Sequence, residues 1–270
     1  MTETITSLAN PLVKQARALR QKKARDESGL FLVEGLAHVG SAFEAGWDVE
    51  TVLYAPERLR SDFGLELVEQ AQRSDTRCQP VSGAVFESLA EKDNPQGIAA
   101  LVRQRRLSLT DFLPAAPGRS PALFAALVAP QDPGNIGATL RTLDAVGGNG
   151  LLLLDSGADP YQPACVRASM GTLFHVPFAQ ADFDGFVTWV RANNLRLVGT
   201  SARAEADYRQ FKSDGCPLVL LLGSEQKGLT EGQLQVCDER LSLPMRGKVS
   251  SLNLAVAAGV LLYALSDARK

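Results

Sequence analysis

The chain has 270 residues, 45% hydrophobic and 21% charged, with a formal net charge of −2. That length supports one large domain or two ordinary ones with real cores and excludes bulk disorder, and the slight acidity argues against a polyanion-binding surface over the whole chain. Four cysteines without a C-x-x-C pair and only two histidines argue against a metal site and fit reduced thiols in a cytoplasmic protein.

The first residues are polar and basic with an early proline, unlike a signal peptide. Between Asn10 and Arg25 lie Lys14, Arg17, Arg20, Lys22, Lys23 and Arg25 with no acid among them. The spacing of Lys14, Arg17 and Lys22 could align several cations on one helix face. Such a face would be either a phosphate-contacting stripe or an ordinary solvated surface. Helix and strand then alternate. Strands are expected over 30–33, 51–54 and 98–102, and helices over 36–45, 65–73 and 85–89, which together make a small α/β sandwich over residues 1–106. Residues 107–121, with three prolines and a glycine, read as a linker.

From 122 to 270 the pattern changes to apolar runs bounded by turn residues. Strands over 123–129, 150–154, 195–199 and 218–222 suit a parallel sheet covered on both faces. Helices are expected at about 135–146, 163–170, 183–193, 230–237 and 251–267. The last holds the longest apolar run, Leu252–Leu265, which includes Asn253 and is too short to span a bilayer.

Three polar, glycine-bearing loops follow apolar strands in this second part. Ala129–Arg141 reads A-P-Q-D-P-G-N-I-G-A-T-L-R, with Gly134 and Gly137 allowing close backbone approach. By itself it reads first as a capped helix with Asn135 near its start and Arg141 on its surface. Leu220–Leu229 reads L-L-L-G-S-E-Q-K-G-L and sets Glu225 just past a buried strand, at the edge where open α/β sheets bind ligands. Capping the next helix is the alternative role for Glu225. Pro244–Val260 opens P-M-R-G-K-V-S-S-L-N, so Ser250, Ser251 and Asn253 crowd the mouth of an apolar helix. No G-x-G-x-x-G follows a strand, and neither a G-x-x-x-x-G-K-[ST] loop nor a G-x-S-x-G elbow is present. An ordinary dinucleotide enzyme, NTPase or hydrolase is therefore disfavoured.

In this order the three loops resemble the signature motifs of the SpoU (TrmH-type) RNA 2′-O-ribose methyltransferases of the SPOUT superfamily. The first matches N-x-G-x-x-x-R at Asn135, Gly137 and Arg141. The second matches G-x-E-x-x-G at Gly223, Glu225 and Gly228. The third matches P-M-x-G-x-x-S-L-N at Pro244, Met245, Gly247, Ser251, Leu252 and Asn253. More loosely, N-P-L-V-K from Asn10 and F-L-V-E-G from Phe31 make the first part similar to the family's L30e-like substrate-binding module. The resemblance implies a deep trefoil knot in a parallel α/β domain, bound S-adenosylmethionine, and a homodimer. It assigns Gly223, Leu243, Met245 and Leu252 to the cofactor, with Thr200 as a further candidate. It assigns the chemistry to Arg141, Asn135, Glu225, Ser251 and Asn253. Lys14, Arg17, Lys22 and Lys23 would bind RNA, and Arg167 is either a further RNA contact or a surface arginine. His175 is expected to be a strand residue rather than a base. The implied reaction is 2′-O-methylation of ribosomal RNA. The same reaction on transfer RNA is the near alternative, and a non-catalytic RNA-binding protein on the same scaffold is the distant one.

Overall fold

The structure, a computed structural model, describes residues 3–91, 95–112 and 121–269. Residues 113–120, the greater part of the expected linker, lie outside them. By its contacts the chain forms two compact units, Met1–Arg105 with Tyr161–His175, and Arg106–Pro160 with Val176–Lys270.

In the first unit, α1 (Pro11–Ala18) starts where the Asn10 side chain accepts from the Leu12 N–H at 2.9 Å and proline occupies the first turn. The basic segment is not one helix. It breaks after Leu19, and α2 (Lys22–Ser28) follows, ending on Gly29 at φ +68°. Lys22 and Lys23 are therefore on a different helix from Lys14 and Arg17. The break is held by Arg25, which is fully buried and donates from Nη1 to the Leu19 carbonyl at 2.8 Å and the Arg20 carbonyl at 3.0 Å. Then come β1 (Leu30–Glu34), α3 (Leu36–Glu44), β2 (Val49–Tyr54), α4 (Asp62–Arg73), β3 (Arg77–Pro80), α5 (Gly83–Leu89) and β4 (Ile98–Arg103). The strands pair in the order β1-β4-β2-β3, with only β2 and β3 parallel. β3, sequence R-C-Q-P, has no apolar alternation and was not anticipated.

The second unit begins before the expected linker ends. Leu107 bridges to Ala179, and Phe112 is buried in this unit's core against Phe124. β5 (Leu123–Val128), α6 (Pro133–Ala145) and β6 (Gly150–Leu154) follow. The chain next contributes α7 (Pro163–Ala168) to the first unit. There Tyr161 and Phe174 pack on Phe31, and Trp47 donates from Nε1 to the Phe174 carbonyl at 2.9 Å. His175 closes a 3₁₀ turn and is exposed, so it is not the strand residue expected. The chain then returns to the second unit with β7 (Phe178–Ala181), α8 (Phe183–Ala192), β8 (Arg196–Thr200), β9 (Ala206–Asp207), β10 (Leu218–Leu222), α9 (Glu231–Gln235), β11 (Glu239–Ser242) and α10 (Leu254–Ala268). All seven strands are parallel, in the order β7-β6-β5-β10-β8-β11-β9. Every residue of β5, β6 and β10 is buried, as expected for central strands covered on both faces.

Candidate active site

The chain order reverses between neighbouring strands β5 and β10, which makes their shared carboxyl edge the switch point where open parallel sheets bind ligands. The first two motif loops leave the sheet here. β8 and β11 follow on the β10 side, and register aligns Leu221 with Gly199 and Leu241 with Thr200. Thr200, Gly223 and Leu243 thus lie at the same end of three adjacent strands. Thr200 donates from Oγ1 to the Leu221 carbonyl at 3.3 Å.

Glu225 gathers the first loop. Its carboxylate accepts from the Gln131 N–H at 3.1 Å, the Asp132 N–H at 3.3 Å and Asn135 Nδ2 at 2.8 Å. Burial pushes this carboxyl up, but the bonds from Asn135 and from the backbone outweigh it and hold it below its ordinary value. Asn135 is buried, and its Oδ1 accepts from Asn253 Nδ2 at 2.9 Å. Asn253 Oδ1 in turn accepts from the Ala255 N–H at 2.9 Å and the Val256 N–H at 3.3 Å, capping α10. The direction of this relay is chemically forced. An ionised carboxylate only accepts and a helix N-terminus only donates, so both amides between them can point just one way. Residues from all three motifs are joined, across sequence separations of 90 and 118 residues. Glu225 therefore fixes loop geometry and does not cap the next helix, which Thr230 caps.

Other expected site residues are not drawn into the relay. Arg141 lies six positions beyond Asn135 on α6, about 9 Å along the axis and on another face. It is exposed and, among the described residues, has no hydrogen-bond or ion-pair partner. Ser250 and Ser251 precede α10 rather than opening it, because Asn253 takes the cap. Ser251 and Leu252 are exposed, and Leu243 and Met245 are partly so. Gly223 is required sterically, since a Cβ there would come within 2.0 Å of the Gly228 carbonyl carbon where the loop folds back. The sequence reading missed Gln131 and Asp132. Asp132 caps α6 through the Gly134 N–H at 2.8 Å, and an Asp-Pro pair ahead of a helix is the signal that could have marked it.

In the first unit, Lys14 and Lys22 are exposed. Arg17 donates to the Leu8 carbonyl at 2.7 Å, and Lys23 lies 3.9 Å from Glu27. Arg167 is ion-paired with Glu91, so it is neither a bare surface arginine nor free to meet RNA without giving up a partner. Among the described residues no group of three or more His, Cys, Asp and Glu is placed to hold a metal, and no helix is long and apolar enough to cross a membrane.

Residues 122–263 match the family model described as the SpoU rRNA Methylase family, and residues 10–100 match the MRM3-like substrate binding domain. The chain is 34% identical to a 23S rRNA (uridine(2479)-2'-O)-methyltransferase of Streptomyces viridochromogenes, over 91% of this chain and 85% of that one. It is 30% identical to the 23S rRNA (guanosine(2553)-2'-O)-methyltransferase RlmP of Bacillus subtilis, over 97% and 98%. Among solved structures, an AdoMet-bound rRNA methyltransferase from Sinorhizobium meliloti superposes with a TM-score of 0.88 at 35% identity, covering 97% of each chain. Motif spacing, the joined strand-end loops and these likenesses agree: the chain belongs to the SpoU rRNA methylase family.

Proposed function

We propose that the protein transfers a methyl group from S-adenosylmethionine to a ribose 2′-oxygen of ribosomal RNA. The observation that carries this reading is the Glu225–Asn135–Asn253 relay, which locks the three motif loops together at the β5/β10 edge. Relatives named as 23S rRNA 2'-O-methyltransferases, similar over nearly the whole chain, support ribosomal over transfer RNA.

The site suits the cofactor. From Met245 to Leu252 no backbone N–H donates to another described residue, so the loop offers unused donors beside the apolar side chains of Leu243, Met245 and Leu252. Gly223, Thr200 and these three would hold the cofactor, which when bound supplies an electrophilic methyl carbon on a sulfonium. Glu225, Asn135 and Asn253 act as positioning residues, because their polar groups are used on one another and on backbone. A guanidinium holds its proton too tightly to make a good general base, which favours an electrostatic role for Arg141. It holds the phosphate next to the target ribose and stabilises charge developing on the 2′-oxygen. Ser251, exposed at the mouth of α10, bonds to the target nucleotide.

The reading extends to a deep trefoil knot formed by the chain around β10 and β11, and to a homodimer in the cytoplasm. Val256, Val260 and Tyr263 form an exposed stripe at i, i+4 and i+7 on α10, a face that a second copy would cover. α6 packs on α10, so Arg141 would act next to that interface, in the partner's site.

The test is transfer of labelled methyl from S-adenosylmethionine to separated ribosomal and transfer RNA lacking modifications, followed by digestion to nucleosides. A 2′-O-methylnucleoside from the ribosomal pool is expected. A methylated base would overturn the mechanism, and product only from transfer RNA would overturn the substrate. Arg141→Ala should lower transfer by about 100- to 1,000-fold while leaving cofactor affinity, read by calorimetry, nearly unchanged. Loss of cofactor binding would remove the role given to Arg141.

A further inference from the structure

Charge divides along the carboxyl edge of the second unit's sheet. On the β5–β6–β7 side, residues 129–132, 155–160 and 182 contain Asp132, Asp155, Asp159 and Asp182 and no lysine or arginine. Three of these acids serve the backbone: Asp132 accepts from the Gly134 N–H, Asp155 from the Phe183 N–H and Asp182 from the Gly185 N–H. On the β10–β8–β11 side, the loops carry Arg203, Lys227, Arg246 and Lys248 against Glu205 and Glu225. Glu225 is already committed to the relay. All four cations are exposed, and none has an ion-pair partner among the described residues.

The polarity is sharpest at the third motif. Residues 243–252 contain Arg246 and Lys248 and no acid. On β9, beside β11, lies the carboxylate of Asp207. It is already paired with Arg209, whose Nε donates to Oδ1 at 2.8 Å, and it also feels the Arg246 charge. The single charge of Asp207 is thus taken up by Arg209, and Arg246 and Lys248 stay without an ion-pair partner among the described residues. The chain as a whole is acidic, so this concentration is local, and a chain of phosphates is the ligand that matches it.

We infer that the loops after β8, β10 and β11 form a second RNA-phosphate grip on the catalytic unit, with Arg246 and Lys248 as its main contacts. The inference rests on the RNA-methylating reading and adds substrate-positioning residues to it. Phosphate contacts fix register without reading sequence. The grip therefore sets how the RNA strand lies over the three motif loops, and the basic helices of the first unit contribute a separate salt-sensitive term.

The test compares wild type with R246A/K248A and with the charge-keeping R246K/K248R, using an in vitro transcript of bacterial 23S ribosomal RNA. Wild-type methyl transfer to this transcript checks the underlying reading, and transcript binding by fluorescence anisotropy is read whether or not transfer occurs. For R246A/K248A the expected results are a roughly tenfold higher KM for RNA and a log Kd against log salt slope shallower by about 1.5, two contacts at about 0.7–0.9 each. S-adenosylmethionine affinity by calorimetry should stay within twofold, and R246K/K248R should restore the slope. An unchanged slope would overturn the proposal. So would loss of cofactor affinity with RNA affinity intact, which would make the loop a cofactor clasp only.

Discussion

Glu225 ties the first motif loop to the second through its carboxylate. It accepts bonds from two backbone N–H groups and from Asn135, so its two oxygens serve at least three donors. Glutamine offers one acceptor oxygen, and its NH₂ would face N–H groups that also donate. Glu225→Gln should therefore lower stability by about 1–2 kcal/mol at neutral pH, at the lower end of hydrogen bonds to charged groups because the site is partly open to water. The pH dependence follows from a carboxyl held below its ordinary value of 4.5. Its contribution is fully present above that value and is lost as pH falls through the lower folded value. Denaturant melts of the two proteins should differ most at pH 6–7 and converge on acidification below the ordinary carboxylate range. A gap that widened in acid would contradict the ionised acceptor described here. At this scale the sequence was partly legible. Glu225, Asn135 and Asn253 stood out as polar residues in glycine-bearing loops, but their pairing did not, because it depends on strand order and spans separations of 90 and 118 residues.

Elements were legible in proportion to their apolar content. β6 and β10 occur where the runs G-L-L-L-L and L-V-L-L-L predict them. β11, sequence E-R-L-S, and the two-residue β9 carry no such pattern; β11 forms on the edge of β8, and β9 on the edge of β11. α10 begins at Leu254, three residues later than expected, because Asn253 has non-helical backbone as the cap and the serines before it lie in the loop. The rest of α10 has two apolar faces. Leu254, Ala258, Leu261, Leu262 and Leu265 are buried, while Val256, Val260 and Tyr263 are exposed. One apolar side buried and a second exposed is what the proposed homodimer requires of a core helix that also serves as its interface. If α10 forms the proposed interface, Val260→Asp should shift a dimeric wild type to monomer in sedimentation velocity and cut methyl transfer in parallel. Its thermal midpoint, compared with wild type at one low concentration, should fall by no more than a few degrees, since the position is not in the core. Normal dimerisation of this variant would place the interface elsewhere.

At the scale of the whole molecule, the contacts divide the chain in a way its order does not. Tyr161–His175 follows β6 of the second unit in sequence but packs in the first, around Phe31 and Trp47. Nothing in Y-Q-P-A-C-V-R-A-S-M-G-T-L-F-H marks that excursion. Its apolar residues have the spacing of any short helix, and their partners lie more than 100 residues earlier in the chain, as with Trp47 and Phe174 at a separation of 127. The chain's two tryptophans make the division measurable, because Trp47 reports on the first unit and Trp189 on the second. Phe174 is buried, stacks on Phe31 at 6.2 Å and meets Trp47 edge-on at 5.2 Å. Truncating such a ring costs about 3–5 kcal/mol through lost transfer energy and the cavity left behind. Phe174→Ala should therefore lower the urea midpoint seen by Trp47 in a Trp189→Phe background by more than 1 M, for an m-value of about 1–3 kcal/mol/M. The midpoint seen by Trp189 in a Trp47→Phe background should move much less. A larger shift at Trp189 would mean that the segment stabilises the catalytic unit and that its packing around Trp47 is energetically secondary.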